Sequence, residues 1–347
     1  MIPVSLEVPV TVPAAGREWH LVSRPRGWPV PEDFALREVP VRRPADGEVL
    51  IRNLHLSVDP YMRGRMNDVK SYVAPFALDE PMDGAAVGEV VESAAAGFSP
   101  GDHVLHSFGW REYATAEAAR VTPVSAELAP LTAYLSVLGM TGLTAYAGLV
   151  DVAELREGDV VFVSGAAGAV GGQAGQIARL KGASRVIGSA GSDEKVRLLT
   201  EEYGFDAAFN YRAGPVGEQL AAAAPDGIDV YFDNVGGDHL EAALDAFNVH
   251  GRAVICGMIS QYNATEPPAA PRNLMLTVGK RLRLQGMLVR DHQELQPRFV
   301  EEVSAWIRSG ELTYRETVAE GIENTVDAFL GMLRGLNTGK MIVSLTG

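Results

Sequence analysis

The sequence is poor in cysteine and in basic residues, and each shortage argues against a class of protein. Cys256 is the single cysteine among 347 residues, which excludes an intrachain disulfide and a cysteine-rich structural zinc site. The 30 basic side chains are outnumbered by 44 acidic ones, giving a formal net charge of −14. Nucleic acids and anionic membranes attract basic surfaces, so we expect neither as a partner.

Long apolar runs are also scarce. Two charge-free stretches, 129–150 and 160–178, could be mistaken for membrane spans. Serine, threonine and glycine dilute the first, and the second has the pattern of a strand, a turn and a helix. The first ten residues lack the basic and apolar regions of a signal peptide. We therefore expect a cytoplasmic protein that does not enter the membrane.

The most informative segment that is present is a glycine-rich turn. The apolar run Val160–Val163 leads into Ala166-Ala167-Gly168-Ala169-Val170-Gly171, and residues with helical spacing follow. A strand, a tight turn and a helix start together bind the pyrophosphate of a dinucleotide, because bare backbone and unpaired N–H groups face the phosphates. An alanine replaces the first glycine of the GxGxxG pattern, but both flanks are in place.

The end of the next strand indicates which dinucleotide binds. NAD sites usually carry an acidic residue about 20 residues on, to hold the ribose 2′-hydroxyl. Here that strand ends in Gly191-Ser192, and Asp193 and Glu194 are placed to cap the following helix. Lys195 comes next, and a cation without an acidic competitor suits a 2′-phosphate. NADPH is therefore favoured over NADH, although alone Lys195 could equally be a solvated helix residue.

The texture of the chain changes near residue 140. Residues 1–125 hold short β-like runs bounded by turn residues, which is typical of a compact β unit. Strands and helices then alternate, which predicts a doubly wound parallel sheet. A further strand is expected at Thr313–Val318, a helix around 326–336 and a last strand at Met341–Leu345. The strands predicted for the parallel sheet are 160–164, 185–189, 207–210, 228–233, 252–256 and 281–289.

Eight motifs together resemble one family over nearly the whole chain. They are Val58-Asp59-Pro60-Tyr61-Met62-Arg63, Gly139–Tyr146, Ala166–Gly171, Gly191–Lys195, Phe209–Tyr211, Asp233–Gly237, Cys256–Asn263 and Asn337–Lys340. The chain resembles the zinc-independent medium-chain dehydrogenase/reductases. Within them it is most similar to the prostaglandin reductase (leukotriene B4 hydroxydehydrogenase) group and to the bacterial NADPH-dependent curcumin reductases.

The resemblance implies an α/β fold in which a Rossmann sheet is inserted into a GroES-like β-rich domain. Residues 1–135, completed by 313–347, would form the substrate domain, and 136–312 the NADPH-binding domain. The cleft between the two would hold the active site. Zinc-dependent relatives carry a Gly-His-Glu motif five residues before Gly-x-Val. Here Asp83, Gly84 and Ala85 stand in those places, so no metal is expected.

The chemistry implied without zinc is reduction of an activated C=C bond. Hydride from NADPH would reach the β-carbon of an enone or enal, and a hydrogen-bond donor would stabilise the charge on the carbonyl oxygen. Tyr262 is the catalytic candidate, because it follows a strand end and a phenol with an ordinary pKa of about 10 keeps its proton at neutral pH. A tyrosine that only packs on its loop is the alternative.

The resemblance also assigns binding residues. Arg212 could add charge at the 2′-phosphate or be a plain surface residue, and Tyr72 and Phe108 could equally be core aromatics of the β unit. The expected contacts with a small apolar conjugated substrate are Tyr61, Tyr72, Phe108, Gly109 and Met140. The expected cofactor contacts are Gly168, Ala169, Val170 and Gly171 at the pyrophosphate; Lys195 and Tyr211 at the 2′-phosphate; and Asn234, Cys256, Gly257, Met258, Ile259, Ser260, Gln261, Tyr262, Met287, Leu288, Val289 and Asn337 at the ribose and nicotinamide.

Two other functions stay open. A quinone reductase of the zeta-crystallin type shares the implied fold but would lack the VDPYMR and QYN segments at 58–63 and 261–263. A non-catalytic NADPH-binding protein is the other. The alternation of Arg281 and Arg283 with Leu282 and Leu284 fits an edge strand, which could pair with a second subunit in a homodimer or stay half-buried in a monomer.

Overall fold

The computed structural model describes residues 12–346. Residues 1–11 and 347 lie outside this part. They include the ten residues considered as a signal peptide and the two ends of the predicted substrate domain. The strands in chain order are Ala15–Leu21 (β1), Phe34–Pro40 (β2), Glu48–Ser57 (β3), Ala86–Ser93 (β4), His103–His106 (β5), Tyr113–Glu117 (β6), Thr122–Val124 (β7), Val160–Val163 (β8), Arg185–Ala190 (β9), Ala207–Asn210 (β10), Ile228–Asp233 (β11), Phe247–Ile255 (β12), Arg283–Gly286 (β13), Glu316–Glu320 (β14) and Lys340–Ser344 (β15).

Helices separate most of the later strands. They are Tyr61–Arg65 (α1), Met140–Ala147 (α2), Gly171–Leu180 (α3), Asp193–Glu201 (α4), Val216–Ala223 (α5), Gly237–Ala246 (α6), Leu276–Lys280 (α7), Gln296–Ser309 (α8) and Thr325–Leu333 (α9). Shorter 3-10 turns at Ile259–Gln261 and Val289–Leu295 and a π-helical turn at Gly148–Val152 lie near the ends of the central strands. Nowhere between residues 12 and 346 is a helix both long and apolar enough to cross a membrane.

The predicted parallel sheet is confirmed. Its order is β10-β9-β8-β11-β12-β13, and every neighbouring pair is parallel. Val161, Phe162 and Val163 on β8 are fully buried because helices cover both faces of the sheet. The order in which strands are added to the sheet reverses between β8 and β11. Ligands of such sheets bind at that point, beyond the carboxyl ends of the strands.

Two strand boundaries in this sheet were predicted wrongly. β12 begins at Phe247 instead of residue 252, because Phe247 pairs with Ile228 before a register irregularity interrupts the ladder. β13 has four residues instead of the nine predicted at 281–289, because as the edge strand it pairs only with Arg252–Ile255 of β12. Edge pairing on one side alone limits its length.

The β-rich part is a second sheet of order β14-β15-β3-β4-β5-β7, with β6 on β3 and a separate ribbon of β1 and β2. The last strand of the chain joins it, since β15 pairs antiparallel with β3 and parallel with β14. β14 spans Glu316–Glu320, so the strand predicted at Thr313–Val318 starts three residues too early. Thr313 N donates to Gln176 Oε1 instead of entering the ladder.

Two contacts bring the sheets together around one cleft. Gly339 N donates to Ala167 O at 2.8 Å, which lays the turn before β15 against the glycine-rich loop after β8. Arg63 of α1 reaches Asn263 in the segment after β12, with 2.9 Å between Nε and Oδ1. The sequence predicted no helix at α1. The loop after β8 therefore contacts the turn before β15, and the segment after β12 contacts the helix that carries the VDPYMR motif.

Candidate active site

The glycine-rich loop after β8 is closed by main-chain contacts. Gly165 has φ +59°, and Gly168 N donates to Gly165 O at 3.0 Å. A Cβ at Gly171 would lie 2.5 Å from Gly165 O, so no side chain fits at the start of α3. Gly168 and Gly171 thus leave two of the four positions in this turn without side chains directly ahead of α3, a geometry that suits a phosphate.

Ala166 fits where the motif usually has glycine because a neighbouring strand makes room. It is fully buried, and its N–H donates to Ser189 O at 2.9 Å on β9. The neighbour of Ser189 on that strand is Gly188, where an added Cβ would lie 2.9 Å from the Ala166 methyl group. Gly188 on β9 therefore leaves the space that the methyl group of Ala166 occupies.

Asp233 at the end of β11 organises the neighbouring loop. Its Oδ1 accepts from the Tyr231 hydroxyl at 2.7 Å, the Ser164 hydroxyl at 3.2 Å and the N–H groups of Val235 and Gly236 at 2.9 and 2.8 Å. Asn234 is held to the glycine-rich loop, since its Nδ2 donates to Ser164 O at 2.8 Å. The network ties the ends of β8 and β11 together at the reversal point of the sheet.

Three polar residues of this network, Ser164, Tyr231 and Asp233, were not predicted as site residues. All three are fully buried. Burial raises the pKa of the Asp233 carboxyl, while its hydrogen bonds act in the opposite direction. Polar side chains at the carboxyl ends of two apolar strands were the available signal.

Lys195, Tyr211 and Arg212 meet at the end of β9. Lys195 Nζ donates to Gly335 O at 2.8 Å, and its pKa is lowered by burial and then by the charge of Arg212. The Arg212 guanidinium lies 5.8 Å from the centre of the Tyr211 ring. A Cβ at Gly191 would lie 2.8 Å from the Tyr211 hydroxyl. Two cations with repelling charges beside a phenol form a corner suited to an anion.

The helix cap next to this corner differs from the prediction. Ser192 is the N-cap residue of α4, and its side chain accepts from Lys195 N at 3.3 Å. Asp193 and Glu194 lie in the first turn instead of capping it, and Asp193 accepts a hydrogen bond from Asn210 at 2.8 Å. Serine competes well for the cap position because its short hydroxyl reaches the free N–H groups of the first turn.

The segment after β12 folds back onto the end of β11. Cys256 N and Gly257 N both donate to Asp233 O at 3.0 Å. Ile259 N donates to Asn234 O and Ser260 N to Val235 O, each at 3.2 Å. Met258 and Gln261 belong to the same compact turn. The structure thus brings the predicted residues Cys256–Tyr262 and Asn234 into one wall beside the glycine-rich loop.

Tyr262 follows the 3-10 turn and is half-buried. Its hydroxyl accepts from Met258 N at 3.4 Å and lies near Gly257, where a Cβ would be 3.1 Å from it. Burial raises the pKa of Tyr262 to about 12, and the neighbouring Cys256, Tyr72 and Asp233 act in the same direction. Burial likewise raises the pKa of the Cys256 thiol to about 12. Both groups therefore hold their protons at neutral pH.

The remaining predicted cofactor residues lie on either side of this wall. Met287 N donates to Ile255 O at 3.2 Å just beyond β13, and Leu288 and Val289 lead into the next 3-10 turn. Asn337 Nδ2 donates to Gly339 O at 2.7 Å, in the turn that contacts Ala167. Both segments approach the strand ends from different parts of the chain.

Three predicted substrate residues lie at the starts of helices α1 and α2 and in the loop after α1. Tyr61 begins α1 and is largely buried; burial raises its pKa, with contributions from Asp59 and Tyr72 in the same direction. Tyr72 is 49% exposed, and its carbonyl accepts from Arg290 Nη1 at 2.8 Å. Met140 begins α2 and is also partly exposed. Tyr72 contributes in the same direction to the raised pKa of both Tyr61 and Tyr262.

Phe108 and Gly109 have surroundings of a different kind. The Phe108 ring packs against the core cluster around Val49 and Ile51 and stacks on His106 at 5.9 Å between ring centres. Arg120 covers it, 4.4 Å from the ring centre. Gly109 N donates to Gly84 O at 2.8 Å. Phe108 therefore matches the alternative interpretation as a core aromatic of the β unit.

The positions that hold zinc ligands in related dehydrogenases have other contacts here. Asp83 forms ion pairs with Arg65 at 3.4 Å and Arg111 at 3.6 Å. Gly84 has no side chain and Ala85 has only a methyl group, so neither offers a side-chain ligand. Within residues 12–346, one group of three possible ligands converges, and it is Asp151, His292 and Glu294 near the π-helical turn.

Comparisons with known proteins agree with this geometry. One family profile, described as the N-terminal domain of oxidoreductase, matches residues 17–124, and another, described as zinc-binding dehydrogenase, matches 169–305. The NADPH-dependent curcumin reductase of Escherichia coli (strain K12) is 42% identical over 95% of this chain and 97% of its own length. The chain belongs to the medium-chain dehydrogenase/reductase family.

Further members of this dehydrogenase/reductase family are similar along their full length. The NADP(+)-dependent 2-alkenal reductase of Nicotiana tabacum is 41% identical over 92% of this chain and 94% of its own. The crystal structure of CurA from Vibrio vulnificus in complex with NADPH is 41% identical, with a TM-score of 0.91 over 95% of this chain and 99% of that chain. The predicted fold class, a GroES-like unit with a Rossmann-like unit, is confirmed.

Proposed function

We propose that this protein uses NADPH to reduce the C=C bond of α,β-unsaturated ketones and aldehydes. The observation that carries the proposal is the neutral phenol of Tyr262, held beyond the end of β12 beside Cys256 and Tyr72. Full-length similarity to an NADPH-dependent curcumin reductase and a 2-alkenal reductase supports the substrate class.

The residues present fit a phosphorylated dinucleotide. The turn at Gly168–Gly171 leaves no room for a Cβ at Gly171, and it presents the start of α3 to the pyrophosphate. Lys195, Tyr211 and Arg212 would hold the 2′-phosphate, which relieves the repulsion between the two cations. Asn234, Cys256–Tyr262, Met287–Val289 and Asn337 would surround the ribose and nicotinamide.

Tyr262 acts in this proposal as the donor to the substrate carbonyl. When bound, NADPH supplies a hydride to the β-carbon. The Tyr262 hydroxyl donates a hydrogen bond to the carbonyl oxygen, where negative charge develops as the C=C bond is reduced. With a pKa of about 12, the phenol keeps its proton at neutral pH and stabilises that charge. A proton from solvent then adds to the α-carbon of the enolate and completes the saturated product.

We also propose that the reaction needs no zinc. The donor set supports this, because Asp83 is engaged by Arg65 and Arg111 and the two following positions are glycine and alanine. Zinc catalysis requires three protein ligands such as histidine, cysteine or glutamate around one open position. The phenol of Tyr262 takes over the polarising role that a metal ion would have.

Tyr61, Tyr72 and Met140 would line the substrate side of the cleft. Tyr72 and Met140 are exposed at 49% and 41%, which leaves apolar surface available for a flat conjugated ligand. Gly109 stays in the proposed substrate set, whereas Phe108 leaves it, because its ring packs into the core cluster of the β unit.

Domain boundaries of 1–135 with 313–347, and 136–312, are part of the same proposal. Sheet membership supports them, because β14 and β15 belong to the sheet of β3 and β4 whereas β8–β13 form the parallel sheet. A homodimer through the edge strand β13 is proposed as well. Met275 and Val278, beside it on the chain, are each 80% exposed. A cytoplasmic location completes the proposal, and cell fractionation would test it.

A substrate panel tests the activity directly. The purified protein is incubated with NADPH or NADH and with 3-nonen-2-one, an enal or a quinone, before and after exhaustive chelation. We expect NADPH oxidation with the enone and the enal, a slower rate with NADH and no loss on chelation. Turnover of quinones alone would favour a quinone reductase of the zeta-crystallin type, and binding of NADPH without turnover would favour a non-catalytic role.

A further inference from the structure

Arg63 is a buried cation whose hydrogen-bond partners are neutral. It closes the VDPYMR motif on α1 and is 2% exposed. Its Nε donates to Asn263 Oδ1 and its Nη1 to Asn67 Oδ1, both at 2.9 Å. Nη2 donates to Gly27 O at 2.7 Å and to Pro25 O at 3.4 Å. Burying a guanidinium is costly unless its donors are satisfied, so these four bonds fix the position of the side chain.

One of these four bonds crosses the cleft. Asn67, Gly27 and Pro25 belong to the β-rich part, whereas Asn263 directly follows Tyr262 in the segment after β12. The same segment passes close to Gly27, where an added Cβ would lie 3.1 Å from Thr265 Cγ2. The hydrogen bond from Arg63 to Asn263 therefore ties the β-rich part to the residue on the carboxyl side of Tyr262.

The chain beyond Asn263 is exposed to solvent. Residues 264–270 are all exposed, and Tyr262 itself is held on its amino side by the 3-10 turn Ile259–Gln261. Asn263 is thus the last partly buried residue before an exposed loop. Consecutive Cα atoms are about 3.8 Å apart, so a displacement of Asn263 moves the Tyr262 backbone with it.

We infer that Arg63 is a positioning residue that acts through Asn263 to hold the Tyr262 hydroxyl at the cleft between the two parts. The inference rests on the proposed function, because it gives the Tyr262 hydroxyl a role in turnover. The hydrogen bond between Arg63 and Asn263 joins the VDPYMR and QYN segments. These two segments distinguish this chain from quinone reductases of the zeta-crystallin type. An arginine is needed because only its planar fork reaches acceptors in three directions at once.

The test compares two asparagines that accept from the same guanidinium. Asn263→Ala removes the bond that crosses the cleft, and Asn67→Ala removes a bond of equal length within the β-rich part. Turnover of 3-nonen-2-one, the NADPH dissociation constant and the thermal midpoint are measured for each. We expect Asn263→Ala to lower kcat about tenfold or more, since misplacing a reacting group by 1 Å costs up to about 100-fold. NADPH binding should stay within about twofold.

Rescue and a double variant separate positioning from stability. Asn263→Asp keeps an acceptor for Arg63 and should retain kcat within about threefold of the unmodified enzyme. In the Tyr262→Phe background, Asn263→Ala should cause no further loss, because the hydroxyl that it positions is gone. Arg63→Lys should lower kcat as Asn263→Ala does.

Three results would overturn the inference. They are equal kcat values for Asn263→Ala and Asn67→Ala, a full additional loss in the Tyr262→Phe background, or a loss in Asn263→Ala confined to NADPH affinity. Absence of enone turnover in the unmodified protein would instead refute the proposed function, so the two failures are distinguishable.

Discussion

The two sides of the candidate site are built in different ways. The cofactor side uses main-chain groups and short loops at the ends of neighbouring strands, such as Gly168–Gly171 and Asn234. The proposed substrate side draws on side chains from distant segments, with Tyr61 on α1, Tyr72 in the loop after it and Met140 on α2. Local backbone geometry therefore defines the first, whereas long-range contacts such as Arg63 with Asn263 define the second.

This contrast predicts that, on the cofactor side, a single added methyl group has the largest effect on binding. In Gly171→Ala the added Cβ meets the backbone at Gly165 O and Ala166 Cα, 2.5 and 2.8 Å away, and neither can move aside cheaply. We expect NADPH affinity to fall by up to about 100-fold, as overpacking costs about 1–3 kcal/mol. A fluorescence titration measures it. The control is Gly217→Ala on α5, where nothing lies within 4 Å of an added Cβ. Equal affinities for both variants would contradict the bare-backbone account.

On the substrate side, loss of one hydroxyl should affect turnover and spare binding. Tyr262→Phe is expected to lower kcat by about 100-fold, because removing one donor to a developing oxyanion costs about that much. The NADPH dissociation constant should stay within about twofold. Tyr146→Phe is the control. This tyrosine lies on α2 in the same domain, and its hydroxyl donates to Glu302 Oε2 at 3.0 Å instead of reaching the strand ends. An unchanged kcat in Tyr262→Phe would remove the phenol from the mechanism.

The 2′-phosphate corner should show a smaller and selective effect. Lys195→Ala is expected to weaken NADPH binding by about tenfold or more while NADH binding changes little, because a hydrogen bond to a charged group contributes about 1.5–3 kcal/mol. Both dissociation constants are measured by titration. Arg197→Ala, an exposed cation on the same helix, serves as the control. If Lys195→Ala weakens both dinucleotides equally, the phosphate assignment is wrong.

Acid stability should show a difference that does not involve turnover or cofactor binding. Burial lowers the pKa of His239 to about 4, so the unfolded chain binds a proton near pH 6.5 that the folded protein rejects. The free energy of unfolding should therefore fall by about 2 kcal/mol between pH 7 and pH 5 on account of this residue. In His239→Gln, the free energy of unfolding measured with urea should fall by about 2 kcal/mol less between pH 7 and pH 5. His250→Gln, at an exposed position, should retain it; the same slope in both variants would contradict the assignment.

The same contrast explains what could be predicted from the sequence. The strand β8, the turn at Ala166–Gly171 and the following helix were predictable because apolar runs, glycine spacing and helix starts are local signals. The six-stranded parallel sheet was predictable for the same reason. Boundaries such as those of β12 and β13 depend on partners in the ladder, which no local pattern contains.

Contacts between distant residues could not be read from local patterns. The helix α1 is five residues long and follows a proline in a β-like region, so no apolar period marked it. Ser164, Tyr231 and Asp233 meet only because the sheet places β8 beside β11. The VDPYMR and QYN segments were each recognised as motifs, but 200 residues separate Arg63 from Asn263. Only the folded chain shows that they touch.

The fate of a labelled hydride tests the central claim most directly. NADPH that carries deuterium on the transferable position is used to reduce 3-nonen-2-one, and the product is analysed by NMR. We expect a saturated ketone with deuterium on the β-carbon, formed at the same rate after metal chelation. Deuterium on a carbinol carbon, or a reaction that stops on chelation, would contradict an account in which a phenol polarises the carbonyl while the C=C bond is reduced.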